Sequence, residues 1–243
     1  MKKILITNDD GIFSEGIRHL ALWTQTYADV TVVAPTTQRS GVSHGIEIHK
    51  PFEVKKIDLL PGIESYAVDS TPADCVRFAT AGLGKEFDLV LSGINRGLNV
   101  GTDILYSATC GAIFEAGSLG IPGVAVSTVP ETFATAVASL DRIYDYFRER
   151  KLLELHSLYN VNIPETVKEI RIVRQGGPYY RDRFTSMKND LYMAKGYSVY
   201  DGGANLDEDL DAVMNGYLTV TPFTIDRTDM TVLQKLKGTE EEK

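Results

Sequence analysis

The chain has 243 residues, 43% of them apolar, with 33 acidic and 25 basic side chains giving a formal charge of -8. That length buries a full core unaided, and the acidic balance argues against nucleic acid or an anionic membrane as a general partner. Cys75 and Cys110 are far apart and form no Cys-x-x-Cys or metal pattern, so small buried thiols in a reduced compartment are expected. Met1-Lys2-Lys3 leads into a four-residue apolar stretch, too short for a signal peptide or a membrane span, which implies a cytoplasmic protein.

Strand signals at residues 3–7, 30–34, 88–92 and 123–127 alternate with helical ones at 16–26, from Thr71-Pro72-Ala73-Asp74 onward, and at 132–150. This alternation predicts an α/β fold, a three-layer α/β/α Rossmann-like domain on a mostly parallel sheet. The insert 44–57 reads as a hairpin around Lys50-Pro51. From about residue 160 the texture changes. Strands are expected at 161–163, 170–173 and 217–221, with a short helix at 207–215 stopped by Gly216. The Tyr- and Gly-rich stretch 176–203 reads as a β-hairpin arm, and the charged tail 237–243 as frayed. Arg171, Arg174, Arg181, Arg183 and Lys188 form a basic cluster that reads as a solvated face. With no repeat or linker, residues 1–243 make one domain: 1–150 a core, 160–243 its elaboration with a C-terminal extension.

The first strand runs Ile4-Leu5-Ile6 straight into Asn8-Asp9-Asp10-Gly11. In an open parallel sheet, ligands bind beyond the carboxyl ends of the strands where strand order reverses, and the first strand commonly borders that point. Two carboxylates there suit a hard divalent cation, although the same four residues also make a turn and helix cap. The second strand is followed by Ala34-Pro35 and then Ser40-Gly41, and the Asp88 strand by Ser92-Gly93-Ile94-Asn95. These loops emerge on one edge, so Asp9, Asp10, a hydroxyl from Ser40 and an amide oxygen from Asn95 can form an oxygen cage completed by water.

Next come Gly97-Leu98-Asn99-Val100-Gly101-Thr102-Asp103 and then Tyr106-Ser107-Ala108-Thr109-Cys110-Gly111, opening a helix that runs to about Leu119. Glycines ahead of a helix N-terminus let backbone N–H groups approach an anion, and the helix dipole favours its charge. With the Ser107 and Thr109 hydroxyls this reads as a phosphate seat facing a metal.

These motifs together, with Ser70-Thr71-Pro72-Ala73-Asp74-Cys75-Val76, Gly120-Ile121-Pro122 and Gly216-Tyr217-Leu218-Thr219-Val220-Thr221-Pro222, resemble the SurE family of survival-protein nucleotidases across nearly the whole chain. The resemblance implies a metal-dependent phosphatase of nucleoside 5'- and 3'-monophosphates, possible activity on short polyphosphate being part of the family picture. It implies one divalent ion per subunit, Mg2+ or Mn2+, on Asp9, Asp10, Ser40 and Asn95. Asn8, Gly41, Asn99, Ser107, Ala108 and Thr109 then surround the phosphate, with Asn8, Asp9 and Asp10 catalytic. The family usually carries Ser-Gly-Thr-Val where this chain has Ser107-Ala108-Thr109-Cys110, and the Ala108 methyl bears on the approach to the phosphate. The family forms homodimers and sometimes tetramers through such arms and tails, so a homodimer or tetramer is expected.

Phosphoester hydrolysis by direct attack of water needs charge at the phosphoryl oxygens and a base, for which Asp9 or Asp10 serves. No general acid is evident; His44 lies near the Ser40 loop but a lone histidine is usually structural. A haloacid-dehalogenase-type phosphatase would need a nucleophilic Asp where Asn8 stands. A phosphoacceptor signalling domain would need an acceptor carboxylate where the Ser92-Gly93-Ile94-Asn95 strand ends. A non-catalytic nucleotide- or phosphate-binding protein is the remaining alternative, separated by turnover.

Overall fold

The computed structural model describes residues 2–131 and 133–241. β1 (Lys3–Thr7) and β2 (Asp29–Pro35) are buried beyond their first residue, as strands covered on both faces must be, and α1 (Glu15–Thr24) crosses between them. An antiparallel hairpin follows, β3 (Val54–Leu60) and β4 (Ile63–Val68), turning at Pro61-Gly62 with Gly62 at φ +74°. This corrects the hairpin expected around Lys50-Pro51, since residues 44–53 are irregular. The strand alternation lies further on, where Ile63, Ser65 and Ala67 are buried between half-buried Glu64 and Tyr66.

Thr71 caps α2 (Pro72–Arg77) by accepting the Asp74 N–H at 3.1 Å, and a π-helical turn, Phe78–Gly82, closes it. β5 (Leu89–Arg96) runs past its expected end, which places Asn95 inside the strand. A 3-10 turn, Gly101–Leu105, leads into α3 (Ala108–Ser118). Two glycines let α3 approach its neighbours: a Cβ on Gly111 would lie 2.4 Å from the Ser43 carbonyl oxygen, and one on Gly117 2.7 Å from Leu158 Cδ1.

β6 (Gly123–Thr128) and α4 (Ala134–Glu149) follow; Thr132, the residue expected to open that helix, lies outside the described residues. The second half contains α5 (Leu152–Leu155), β7 (Leu158–Ile163), β8 (Ile170–Ile172), the arm strands β9 (Tyr180–Lys188) and β10 (Leu191–Ser198), α6 (Asp209–Met214), β11 (Leu218–Pro222) and α7 (Met230–Glu241). The tail expected to fray is thus helical as far as Glu241, and Glu242 and Lys243 lie outside the described residues. Asp229 stabilises the start of α7, its carboxylate accepting the Val232 N–H at 3.0 Å.

Among the described residues nine strands form one sheet, in the order β3-β4-β2-β1-β5-β6-β7-β11-β8, parallel except at β3/β4 and β7/β11. The chain steps outward from β1 to β2 and returns to the other side of β1 with β5, so the order reverses at β1. Side chains alternate between layers. Ile4, Ile6, Val124 and Val126 pack against Ile17 and Leu20 of α1 and Leu140, Ile143 and Phe147 of α4. Leu5, Val33 and Val90 pack on the other face against Cys75 and Val76 of α2 and Ala112 and Ala116 of α3. Both cysteines are buried, and burial pushes the Cys110 thiol up to about 12.

The arm is a separate two-stranded sheet in which every residue is exposed. The basic cluster is dispersed: Arg174 pairs with Glu208, Arg171 lies over the Tyr217 ring and Arg183 over the Tyr197 ring. No described helix is long and apolar enough to cross a membrane.

Candidate active site

The loops leaving β1, β2 and β5 meet at the point where strand order reverses. The Arg39 N–H donates to the Asp9 carbonyl at 2.7 Å and the Ile12 N–H to the Pro35 carbonyl at 2.8 Å, stitching the β1 and β2 loops together. This brings the Ser40 hydroxyl to 3.5 Å from Asp9 Oδ2. Thr109 Oγ1, in the first turn of α3, donates to Asp9 Oδ1 at 2.5 Å. From β5 the Arg96 N–H donates to Asp10 Oδ2 at 3.0 Å. The Asn95 amide donates to the Gly97 carbonyl at 2.8 Å, which leaves its Oδ1 available as an oxygen donor.

Asp9 is only 4% exposed. Burial pushes its carboxyl from 3.8 up to about 6, opposed by the Thr109 hydrogen bond and reinforced by the neighbouring Asp10 charge. Asp10 is raised as well, chiefly by burial and against the Arg96 N–H. Among the described residues neither carboxylate forms an ion pair with Lys, Arg or His. A buried Asp9 and a half-buried Asp10, neither in an ion pair, beside a hydroxyl and an amide oxygen, fit a hard divalent cation. Among the described residues there is also no group of three or more His, Cys, Asp or Glu suited to a metal. A cation here therefore rests on the acidic pair, the Ser40 and Asn95 oxygens and water.

Around this pair, the Asn8 amide nitrogen is engaged within its own loop, donating to the Gly11 carbonyl at 3.0 Å and the Ser14 hydroxyl at 2.7 Å. Among the described residues its buried Oδ1 has no hydrogen-bond partner, which leaves an acceptor beside the carboxylate pair. Gly41 adopts φ +75° beside Ser40, with open space where a Cβ would stand. Ser107 is the α3 N-cap: its Oγ accepts the Cys110 N–H at 3.0 Å, and its own proton is left to donate. Ala108 and Thr109 are fully buried, so the Thr109 hydroxyl serves Asp9 and the Ala108 methyl is packed away from solvent.

Asn99 is held by three residues that sequence reasoning missed, Asn160, Asn162 and Ser127. Its N–H donates to Asn162 Oδ1 at 2.8 Å, its carbonyl accepts from Asn160 and Asn162 at 2.8 and 2.9 Å, and its amide donates to Ser127 Oγ at 2.7 Å. Two fully buried asparagines alternating with apolar residues along β7 are the signal that could have found them. His44 Nε2 lies 2.7 Å from Glu115 Oε2, which engages it with α3.

The family model for Survival protein SurE matches residues 4–182. A 5'-nucleotidase SurE from a Thermoanaerobacter species is 38% identical over 253 residues, spanning 97% of both chains. One from Heliobacterium modesticaldum is 37% identical over 247 residues, covering 96% of this chain and 90% of that protein. Among solved structures, the SurE protein from Aquifex aeolicus superposes with a TM-score of 0.78 at 34% identity, covering 98% of this chain and 99% of the other.

Proposed function

The chain belongs to the SurE family, and on that premise we propose that it is a divalent-metal-dependent phosphomonoesterase, releasing phosphate from nucleoside 5'-monophosphates and from 3'-monophosphates and short polyphosphate as well. The observation that carries this is the Asp9–Asp10 pair at the reversal of strand order, with Asp9 buried and bonded to Thr109 in the first turn of α3 and Asp10 half-buried beside it. Asp9, Asp10, Ser40 and Asn95 would hold Mg2+ or Mn2+. When bound, such an ion supplies positive charge to the phosphoryl oxygens and lowers the pKa of a water.

The chain's own groups do the rest. Ser107 donates its hydroxyl proton to a phosphoryl oxygen, and the first N–H groups of α3 and the Asn99 loop hold the equatorial oxygens as charge develops on them. Asn8 Oδ1 accepts from a water on the carboxylate side. That water attacks phosphorus in line and gives a proton to Asp9 or Asp10, while the bond to the ester oxygen breaks and that oxygen leaves as the alcohol with a proton taken from solvent. Thr109 orients Asp9 for this role by fixing one of its oxygens. No aspartate occupies the position of Asn8, so no acyl-phosphate forms there. The exposed arm and tail fit assembly into a homodimer or tetramer.

The test is phosphate release from a panel of nucleoside monophosphates and short polyphosphates with Mg2+, with Mn2+ and after chelation. Metal-dependent, chelator-reversible release is expected. Nucleotide binding without release under every condition would instead establish a non-catalytic binding protein.

A further inference from the structure

Asp209 is a fully buried carboxylate with no part in the chemistry above. It is the first residue of α6, yet its oxygens reach well beyond that helix. Oδ2 accepts the Gly101 N–H at 2.9 Å, and Oδ1 accepts the Gly176 N–H at 2.8 Å and the Leu210 N–H at 2.7 Å. Gly101 belongs to the glycine-rich loop that carries Asn99, and Gly176 is the root of the arm. The two segments touch directly: Thr102 N–H donates to the Gly177 carbonyl at 3.3 Å, and the Tyr180 N–H to Asp103 Oδ2 at 2.8 Å. A Cβ on Gly101, which sits at φ +57°, would fall 1.8 Å from the Gly177 carbonyl oxygen, so backbone meets backbone there. Val100 fills the space below, packed on Leu210 and Val213.

We propose that Asp209 is a positioning residue for the phosphate seat, binding the Asn99 loop to the arm root so that the second half of the chain sets the geometry of a site built by the first. The inference rests on the assignment of Asn99 to the phosphate. A buried carboxylate is suited to the task because its two oxygens satisfy three N–H groups at once; an amide offers one acceptor oxygen and turns an NH2 against Gly101 or Gly176. Among the described residues no hydrogen bond joins Asp9, Asp10, Ser40 or Asn95 to Asp209 or Gly176, so this brace reaches the anion side more directly than the cation.

The experiment measures inorganic phosphate and Mn2+ binding by calorimetry for the full-length protein and Asp209→Asn, with hydrogen exchange on residues 97–103. Asp209→Asn should weaken phosphate by about tenfold, the scale of one unpaired buried N–H, raise exchange in the loop and leave Mn2+ affinity within about twofold. Equal loss of both ligands would show a merely structural role and overturn the proposal, as would unchanged phosphate affinity. Failure of phosphate to protect residues 97–103 in the parent protein would remove the assignment of Asn99, and the proposal with it. Should Asp209→Asn not fold, Asp103→Ala cuts the outer tie to the Tyr179 and Tyr180 N–H groups and leaves Asp209 in place, and unchanged phosphate affinity in that variant would overturn the brace.

Discussion

Thr109 and Asp9, a hundred residues apart in sequence, are joined by a 2.5 Å hydrogen bond between a fully buried hydroxyl and a nearly buried carboxylate. The helix that would receive phosphate is thereby fixed to the residue that would hold the metal. Removing the hydroxyl in Thr109→Val leaves the ionised form of Asp9 with one donor fewer in a poorly solvated place. Hydrogen bonds to charged groups contribute about 1.5–3 kcal/mol, so Mn2+ affinity should fall by about tenfold or more. Calorimetric titration checks this, and parental affinity in the valine variant would show that the contact is incidental.

The raised carboxyl of Asp9 makes metal-free stability depend on pH in a direction opposite to that of a salt-bridged aspartate. With a folded value of about 6 against an ordinary 3.8, the folded state holds the proton more tightly than the unfolded one. Its contribution is greatest below about pH 4, is lost as pH rises towards about 6, and amounts to roughly 3 kcal/mol. A cation binds the ionised form, so Mn2+ should raise Tm more at about pH 7.5 than at about pH 5. Asp9→Asn should abolish most turnover and flatten this dependence. Thermal melts at the two pH values decide it, and an equal Mn2+ shift at both would count against Asp9 as the titrating ligand.

Ser107 has two duties that one substitution separates from none of its neighbours. Ser107→Val removes the cap on Cys110 N–H, costing about 1 kcal/mol of stability, and removes the proton proposed to reach phosphate. Both Tm and phosphate affinity should drop, whereas Ala108→Gly should leave phosphate binding intact because that methyl is buried. Normal phosphate affinity in Ser107→Val would place the anion elsewhere.

Phe184, Leu191, Tyr192 and Met193 are each more than half exposed on the arm, as are Met230 and Leu236 on α7. Apolar surface displayed in this way is ordinarily covered, and deleting residues 223–243 should lower the assembled mass seen by light scattering while sparing Mn2+ binding. A full-length protein that scatters as a monomer at assay concentration would exclude coverage by a second copy.

The parallel core was legible because its strands are continuous apolar runs ended by turn chemistry, as in Ile4 to Asp10. The edge was less so. Lys50-Pro51 looks like a turn by composition, but the hairpin turns at Pro61-Gly62, where glycine supplies the positive φ. α7 was hidden because a charged segment with spaced Met230, Leu233 and Leu236 carries only a weak apolar stripe. At the site, the acidic pair and the α3 opening declared themselves as local patterns. Asn160, Asn162 and Asp209 did not, since each serves a backbone group 33 to 108 residues away and no short window contains both partners.

The two glycines that let α3 settle against Ser43 and Leu158 also lower its intrinsic helicity, each by about 1 kcal/mol relative to alanine. An eleven-residue segment so composed has no helix of its own to offer; its order is lent by the sheet and by the loop leaving β2. The proposed anion seat would therefore be a property of the finished domain, absent from any peptide cut from it. A synthetic fragment covering residues 104–120 would be coil by circular dichroism, and phosphate would have no dipole to find.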